Sequence, residues 1–493
     1  MQIVWNHSRH VTRYILTLAI IGKQQFPVTG RKMVRFSLSI VTTVLFAVTV
    51  AAQTVIPFPD GMTYAQGFMP ATLDDTLLVS EYSRWKKLFL VECNGGYRVT
   101  GENSGETRVE GIGFGMIITA YCGKKTEFDG LLKFYKSKRT ASAGQMMAWQ
   151  VSCSGINDQG SATDGDIDVA FSLIIAGCQW GGTYLDEAKT IIGILKDNVI
   201  KTCSSDILSL ATGVSGGTAW GGCDMTDISY YNPAFFRVFA DLTNDDTWDK
   251  LADDTYTILN NGANPSTGLV PDWQSVSGTP GAGGREGTFR YDACRAPYRI
   301  AIDYLWNGNE KSKAWCTKIT DWASKIGPAK IMDGYSLSGN ATGSSNTTSF
   351  VGSFAVAAMC NSQSITDAFC TQVNKLRDQK WFNLSTRLCY LLALTGNLWP
   401  PAITENRSAP SFHLKQTASV TLRRSGHELT IQNASDLTTI DIRSFSGRLL
   451  YRQTTGGERK IQMSIPAGVR GGVVFTAHDF RGTARYLGKV ILL

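Results

Sequence analysis

The 493-residue chain holds five histidines, His7, His10, His413, His427 and His478, and none falls between residues 53 and 404. That absence excludes a Ser-His-Asp or Cys-His site and a His-ligated zinc from the long middle segment. Acid–base chemistry there is left to carboxylates, tyrosines and lysines. Cysteine is confined in the opposite way: all eleven lie from Cys93 to Cys389, and no two are spaced as CxxC. A zinc ribbon and a thioredoxin-like motif are thereby excluded. In an exported protein some of these thiols are expected to pair, with the odd count leaving at least one free. Acidic residues are missing from residues 1–52, which carry six Lys/Arg, and are few in 405–493, which carry 13 Lys/Arg against 6 Asp/Glu. The middle segment reverses the balance, 29 Lys/Arg against 35 Asp/Glu. An acidic segment disfavours nucleic acid as a ligand. Tryptophan is absent from 405–493, while eleven of the twelve lie in 53–404. Most of those are expected in the core, yet flat indoles on an acidic, histidine-free domain also suit stacking on sugar rings.

The first 52 residues read as a leader. Arg31-Lys32-Met33-Val34-Arg35 precedes an apolar run through Val44–Val48 and small residues at Ala51-Ala52, the pattern of a secretory signal over about 31–52 with cleavage after Ala52. Secretion, or display at a bacterial cell surface, is the expected destination. From 53 to 401 apolar residues recur at three- and four-residue spacing, predicting helices at 111–122, 130–136, 164–177, 185–200, 233–240, 248–260, 293–306, 312–325, 366–380 and 383–395. Loops rich in Gly, Ser and Asn, such as 278–284 and 338–348, separate them. Ten to twelve helices without intervening β-rich runs suit an all-α toroid rather than a parallel α/β barrel. After Trp399-Pro400-Pro401, residues 402–412 read as a linker and 413–493 as short alternating strands of a small all-β sandwich.

Three segments hold carboxylates placed for chemistry. Glu110 precedes Gly111-Ile112-Gly113-Phe114-Gly115, where small residues permit close approach and a helix start favours a carboxylate. The glycine spacing is not GxGxxG, and no strand is evident before it, which excludes a dinucleotide loop. Asp164, Asp166 and Asp168 open the next helix; they do not fit an EF-hand, because Val169 stands at its glycine position and Ile175 at its bidentate acid. Asp164 is either an N-cap or a functional acid, while Asp166 and Asp168 read as early-helix structural acids. Asp292, preceded by Tyr291 and followed at three residues by Arg295, is either half of a plain helix-start ion pair, which the fragment alone favours, or a base that the arginine holds ionised.

Together these segments resemble glycoside hydrolase family 8, over about residues 60–400. Ala162-Thr163-Asp164-Gly165-Asp166 matches its ATD[AG]D signature, Glu110 to Met116 its EGxGYGM segment with Phe114 for Tyr, and Tyr291 to Ile300 its YDAxRxPxRI segment. Met147-Ala148-Trp149 and Ser229-Tyr230-Tyr231-Asn232-Pro233 also look like family segments. The resemblance implies an (α/α)6 barrel that needs no cofactor or metal and cleaves β-1,4-glucan endo-wise with inversion. It implies Glu110 as general acid, Asp292 as general base and Asp164 as a sugar-binding acid. Tyr230 and Arg295 would orient water and base, Tyr291 would help bind substrate, and Trp149 and Trp220 would stack on sugars. Glu110 then needs a raised pKa and Asp292 a lowered one. Retention of Asp292 favours the cellulase-like branch over chitosanases; mixed-linkage glucan and xylan are the alternative substrates, and a non-catalytic glycan binder the remoter rival. The chain is expected to act as a monomer. Its last segment, with Ser446-Gly447-Arg448-Leu449-Leu450 and a closing basic-apolar strand, resembles the sorting modules of type IX secretion, which makes secretion machinery an expected partner.

Overall fold

The computed structural model describes residues 56, 58–59 and 61–401, and seven strands between 421 and 492. The expected leader (1–52) and linker (402–412) lie outside the described residues.

Twelve helices run through the described part of 53–401. They are α1 Asp75–Phe89, α2 Val109–Tyr121, α3 Lys125–Ser137, α4 Thr163–Trp180, α5 Tyr184–Val199 and α6 Pro233–Thr243, then α7 Thr247–Gly262, α8 Ala296–Asn307, α9 Glu310–Ile326, α10 Thr348–Ala358, α11 Gln363–Lys375 and α12 Trp381–Leu394. Two kinds alternate. The even-numbered helices are buried almost all round; α10, Thr-Ser-Phe-Val-Gly-Ser-Phe-Ala-Val-Ala-Ala, has every residue buried. The odd-numbered ones bury one stripe, as Leu78, Tyr82 and Trp85 do on α1. A helix apolar on every side must be surrounded by protein, and a striped one must face water. The contacts agree: α2 packs on α4, α4 on α6, α6 on α8, α8 on α10, α10 on α12, and α12 returns to α2. Each even-numbered helix also carries an odd-numbered partner outside it. This closed ring of six within six is the expected (α/α)6 barrel.

Helices α2 and α4 approach each other closely, and glycines make it possible. A Cβ on Gly113 would stand 2.8 Å from Asp168 Cβ and 3.0 Å from the Gly165 carbonyl, and one on Gly165 would stand 2.6 Å from the Val109 carbonyl carbon. Of the glycines after Glu110, Gly113 therefore admits a neighbouring helix, and Gly111 and Gly115 lie against the core side chains Trp381, Val99 and Leu131, so the close approach expected from the sequence is to the protein itself and not to a ligand. A second correction concerns the strand read as absent before them. Glu106–Arg108 pairs with Gln150–Ser152, and similar short strands, Thr226–Asp227 with Trp273–Gln274 among them, decorate the segments leading into the inner helices. They are too short to leave an alternating pattern.

The described C-terminal strands lie within 413–493, the region read as short alternating strands. Thr421–Ser425, Glu428–Gln432 and Lys460–Ser464 form one antiparallel sheet, and Leu449–Thr454, Leu437–Ser444, Gly471–Asp479 and Ala484–Leu492 another, each in that order. The expected closure into a sandwich depends on side chains outside the described ones.

Candidate active site

The three singled-out acids sit at the N-terminal ends of inner helices. Glu110 is the second residue of α2 and Asp164 the second of α4; Asp292 precedes the short turn Ala293–Arg295 that leads into α8. Asp164 is not an N-cap, since Ala162 holds that position. Positive helix ends favour carboxylates at all three places.

Arg295 brings them together. Its buried guanidinium contacts Glu110 Oε1 and Asp164 Oδ2 through Nη1, and reaches Asp292 Oδ1 at 3.3 Å through Nη2. The same group lies 5.7 Å over the Tyr230 ring. The rigid fork of an arginine suits such multiple engagement better than an ammonium would.

The environments of the acids differ. Asp164 is almost wholly enclosed, with 3% of its side-chain surface open, against 17% for Glu110 and 39% for Asp292. Burial pushes the Glu110 carboxyl up to about 7; Arg295 opposes the rise, and Asp164 and Asp292 add to it. A raised acid at Glu110 was expected. The lowered value expected for Asp292 is not found: burial outweighs Arg295 and the Trp273 hydrogen bond, and its carboxyl is raised in the free protein. Arg295 cannot hold it down because that one cation is shared with several other carboxyls.

Asp166 and Asp168 are structural, though not as dipole partners alone. Asp166 accepts from the Tyr135 hydroxyl at 2.6 Å and from the Met147 N–H at 3.2 Å. Asp168 forms a two-pronged buried pair with Arg299, at 3.0 and 2.8 Å.

The aromatic candidates fall around this centre. Trp220 stacks on Trp273, centroids 6.2 Å apart and planes 15° apart, and the Arg285 guanidinium lies 5.4 and 5.0 Å from the two rings. Trp149 is half-buried beneath Arg108, its carbonyl accepting the first N–H of α2 at 2.9 Å. The Tyr291 hydroxyl donates to Asp333 Oδ2 at 2.9 Å, bracing the loop at 333–345.

Four contributors were not anticipated. Trp273 donates its indole N–H to Asp292 Oδ2 at 3.0 Å. Asp272 accepts the N–H groups of Arg290 and Ala293, at 2.7 and 2.8 Å, and so pins the backbone on both sides of Asp292. Asp227 lies 3.8 Å from Arg295 Nη2, and Arg285 covers the indole pair. Asp227 was within reach of sequence reasoning, lying two residues before the segment Ser229–Pro233 already singled out. Among the described residues no His/Cys/Asp/Glu group is placed to hold a metal.

The model of glycosyl hydrolases family 8 matches residues 56–396. Endoglucanase 2 of Ruminiclostridium josui is 34% identical over 409 residues, which span 78% of this chain and 85% of that protein. The beta-glucanase of Niallia circulans is 31% identical over 376 residues, 70% of this chain and 91% of its own length. Among solved structures, the apo beta-1,3-1,4-glucanase from a Paenibacillus species is similar with a TM-score of 0.62 and 28% identity, covering 70% of this chain and 99% of that one. A xylobiose complex from Teredinibacter turnerae, at 24% identity and a TM-score of 0.58, shares the fold over 67% of this chain and 95% of its own.

Proposed function

This chain belongs to glycosyl hydrolases family 8, and from that premise we propose that it cleaves internal β-1,4 bonds of a cellulose-like glucan with inversion. Hydrolysis of glycosidic bonds, of the endoglucanase type, follows from the family and from relatives 31–34% identical over most of the chain. The substrate, the stereochemistry and the residue roles are the proposal.

The single observation that carries the roles is the Arg295 fork, which gathers carboxyls from three inner-helix ends while leaving them unequal. Glu110, up to about 7, keeps a proton near neutrality and gives it to the departing glycosidic oxygen. Asp292, the most open of the three, takes a proton from water on the opposite face of the sugar. Asp164, held at 2.5 Å by Arg295, accepts from a sugar hydroxyl at the cleavage point. Tyr230 and Arg295 orient water and base, Tyr291 braces them, and Trp149 and Trp220 stack on sugar faces. The similarity to a beta-1,3-1,4-glucanase supports mixed-linkage glucan as the second substrate reading.

The disulfides Cys93–Cys153 and Cys203–Cys223 support an oxidising compartment and hence the secreted destination. Sorting through residues 413–493 belongs to the same proposal; deleting 405–493 should leave hydrolysis intact and reduce export, and undiminished export counts against it.

Glu110→Gln and Asp292→Asn should each lower kcat on carboxymethyl-cellulose at least about 100-fold, with folding and oligosaccharide binding retained. Near-wild-type turnover in either variant overturns the role given to that residue.

A further inference from the structure

Four carboxyls converge on the Arg295 guanidinium, and the roles above employ three. The fourth belongs to Asp227, which has no exposed surface. It ends the short strand Thr226–Asp227 and caps the turn Ile228–Tyr230, where its Oδ1 accepts the Ser229 N–H at 2.8 Å. Its Oδ2 has no hydrogen-bond partner and faces Arg295 Nη2 at 3.8 Å, too far to bond. The same nitrogen faces Asp292 Oδ1 at 3.3 Å. The charged and titratable groups around Asp227 are Asp292, Arg295, Asp272, Tyr230 and Tyr231.

One buried cation cannot balance four carboxylates crowded around it, because an enclosed ion without a counter-charge is strongly unfavourable. Glu110 carries its proton by role. Asp164 is in close contact with Arg295, and Asp292 must be ionised to act as a base. The carboxyl left to give up its charge is the most deeply buried one, whose second oxygen nothing engages. We propose that Asp227 works un-ionised, with its proton on Oδ2, as a positioning residue that leaves Arg295 to Asp164 and Asp292. The proton turns an unpartnered acceptor into a donor on the side of the guanidinium where Asp292 lies. Burial, and next the Asp292 charge, drive the Asp227 carboxyl well above the ordinary carboxylate range, in the same direction.

The inference rests on Asp292 being the base, but its test does not. Asparagine reproduces the neutral carboxyl in shape and donor, so Asp227→Asn should keep kcat within about fivefold of wild type, whereas Asp227→Ala should fall about tenfold or more. The infrared difference between wild type and Asp227→Asn at neutral pH should contain the carbonyl stretch of an un-ionised acid. A carboxylate stretch in its place, or an Asp227→Asn variant as impaired as Asp227→Ala, overturns the proposal. Should the variants not fold, neutron diffraction from the deuterated wild-type protein answers directly: deuteron density on Asp227 Oδ2 supports the proposal, and its absence refutes it. The infrared and neutron measurements read the Asp227 proton alone, so they separate failure here from failure of the Asp292 assignment.

Discussion

Replacing Trp273 by Phe removes one N–H and keeps an aromatic ring. That N–H donates to Asp292 Oδ2 at 3.0 Å, and the ring lies against Trp220. A hydrogen bond to an ionised carboxylate contributes about 1.5–3 kcal/mol, and one pH unit corresponds to about 1.4 kcal/mol, so its loss is worth about one to two units. Asp292 keeps 39% of its side-chain surface open, so water replaces part of what the indole gave and the lower end applies, about one unit. The sign follows from which form the donor favours. An N–H favours the ionised carboxylate, so removing it raises the Asp292 pKa. The acid limb of kcat/KM should therefore move up by about one pH unit in Trp273→Phe. With the alkaline limb in place, the bell narrows and its maximum drops. Initial rates of reducing-end release from a soluble glucan between pH 4 and 9 measure both limbs. An acid limb that stays put, or moves to lower pH, refutes the reasoning.

The alkaline limb itself should fall about tenfold per pH unit above an apparent pKa near 7, as Glu110 loses the proton it must donate. Asp164→Asn removes a charge that raises Glu110, so in any residual activity that limb should shift to lower pH. Asp168→Asn leaves the enclosed Arg299 without its carboxylate and should destabilise the protein by about 3–5 kcal/mol in urea unfolding. Gly113→Ala sets a methyl 2.8 Å from Asp168 Cβ and 3.0 Å from the Gly165 carbonyl, where neither neighbour can swing away. It should lower stability by about 1–3 kcal/mol in thermal unfolding; an unchanged melting temperature would show that α2 and α4 can separate.

Ten of the twelve described helices were legible in the sequence, and only α1 and α10 were not. The outer helices α5, α7 and α9 carry apolar stripes at helical spacing, and the expected bounds lie close to the observed ones. Helix α10 was missed because it is apolar or small throughout and leaves no period to read, whereas α1 was missed although Leu78, Tyr82 and Trp85 mark a stripe on it. The acids Glu110, Asp164 and Asp292 were legible as separate segments, but their union depends on Arg295, which spans 185 residues to Glu110 and 131 to Asp164. Trp273 and Asp272 were missed because they lie in a loop-like stretch without pattern, and their roles arise from pairing across the chain. The pKa of Asp292 went the other way from expectation for a related reason. Spacing showed the arginine beside it, and could not show the other carboxyls that compete for that arginine.

The central claim is that Glu110 and Asp292 act on opposite faces of the sugar, as acid and base. Proton NMR of the first products from a β-1,4-glucan oligosaccharide, taken before mutarotation, tests it most directly. New reducing ends should appear as α-anomers; β-anomers at early times would mean retention and would contradict the account.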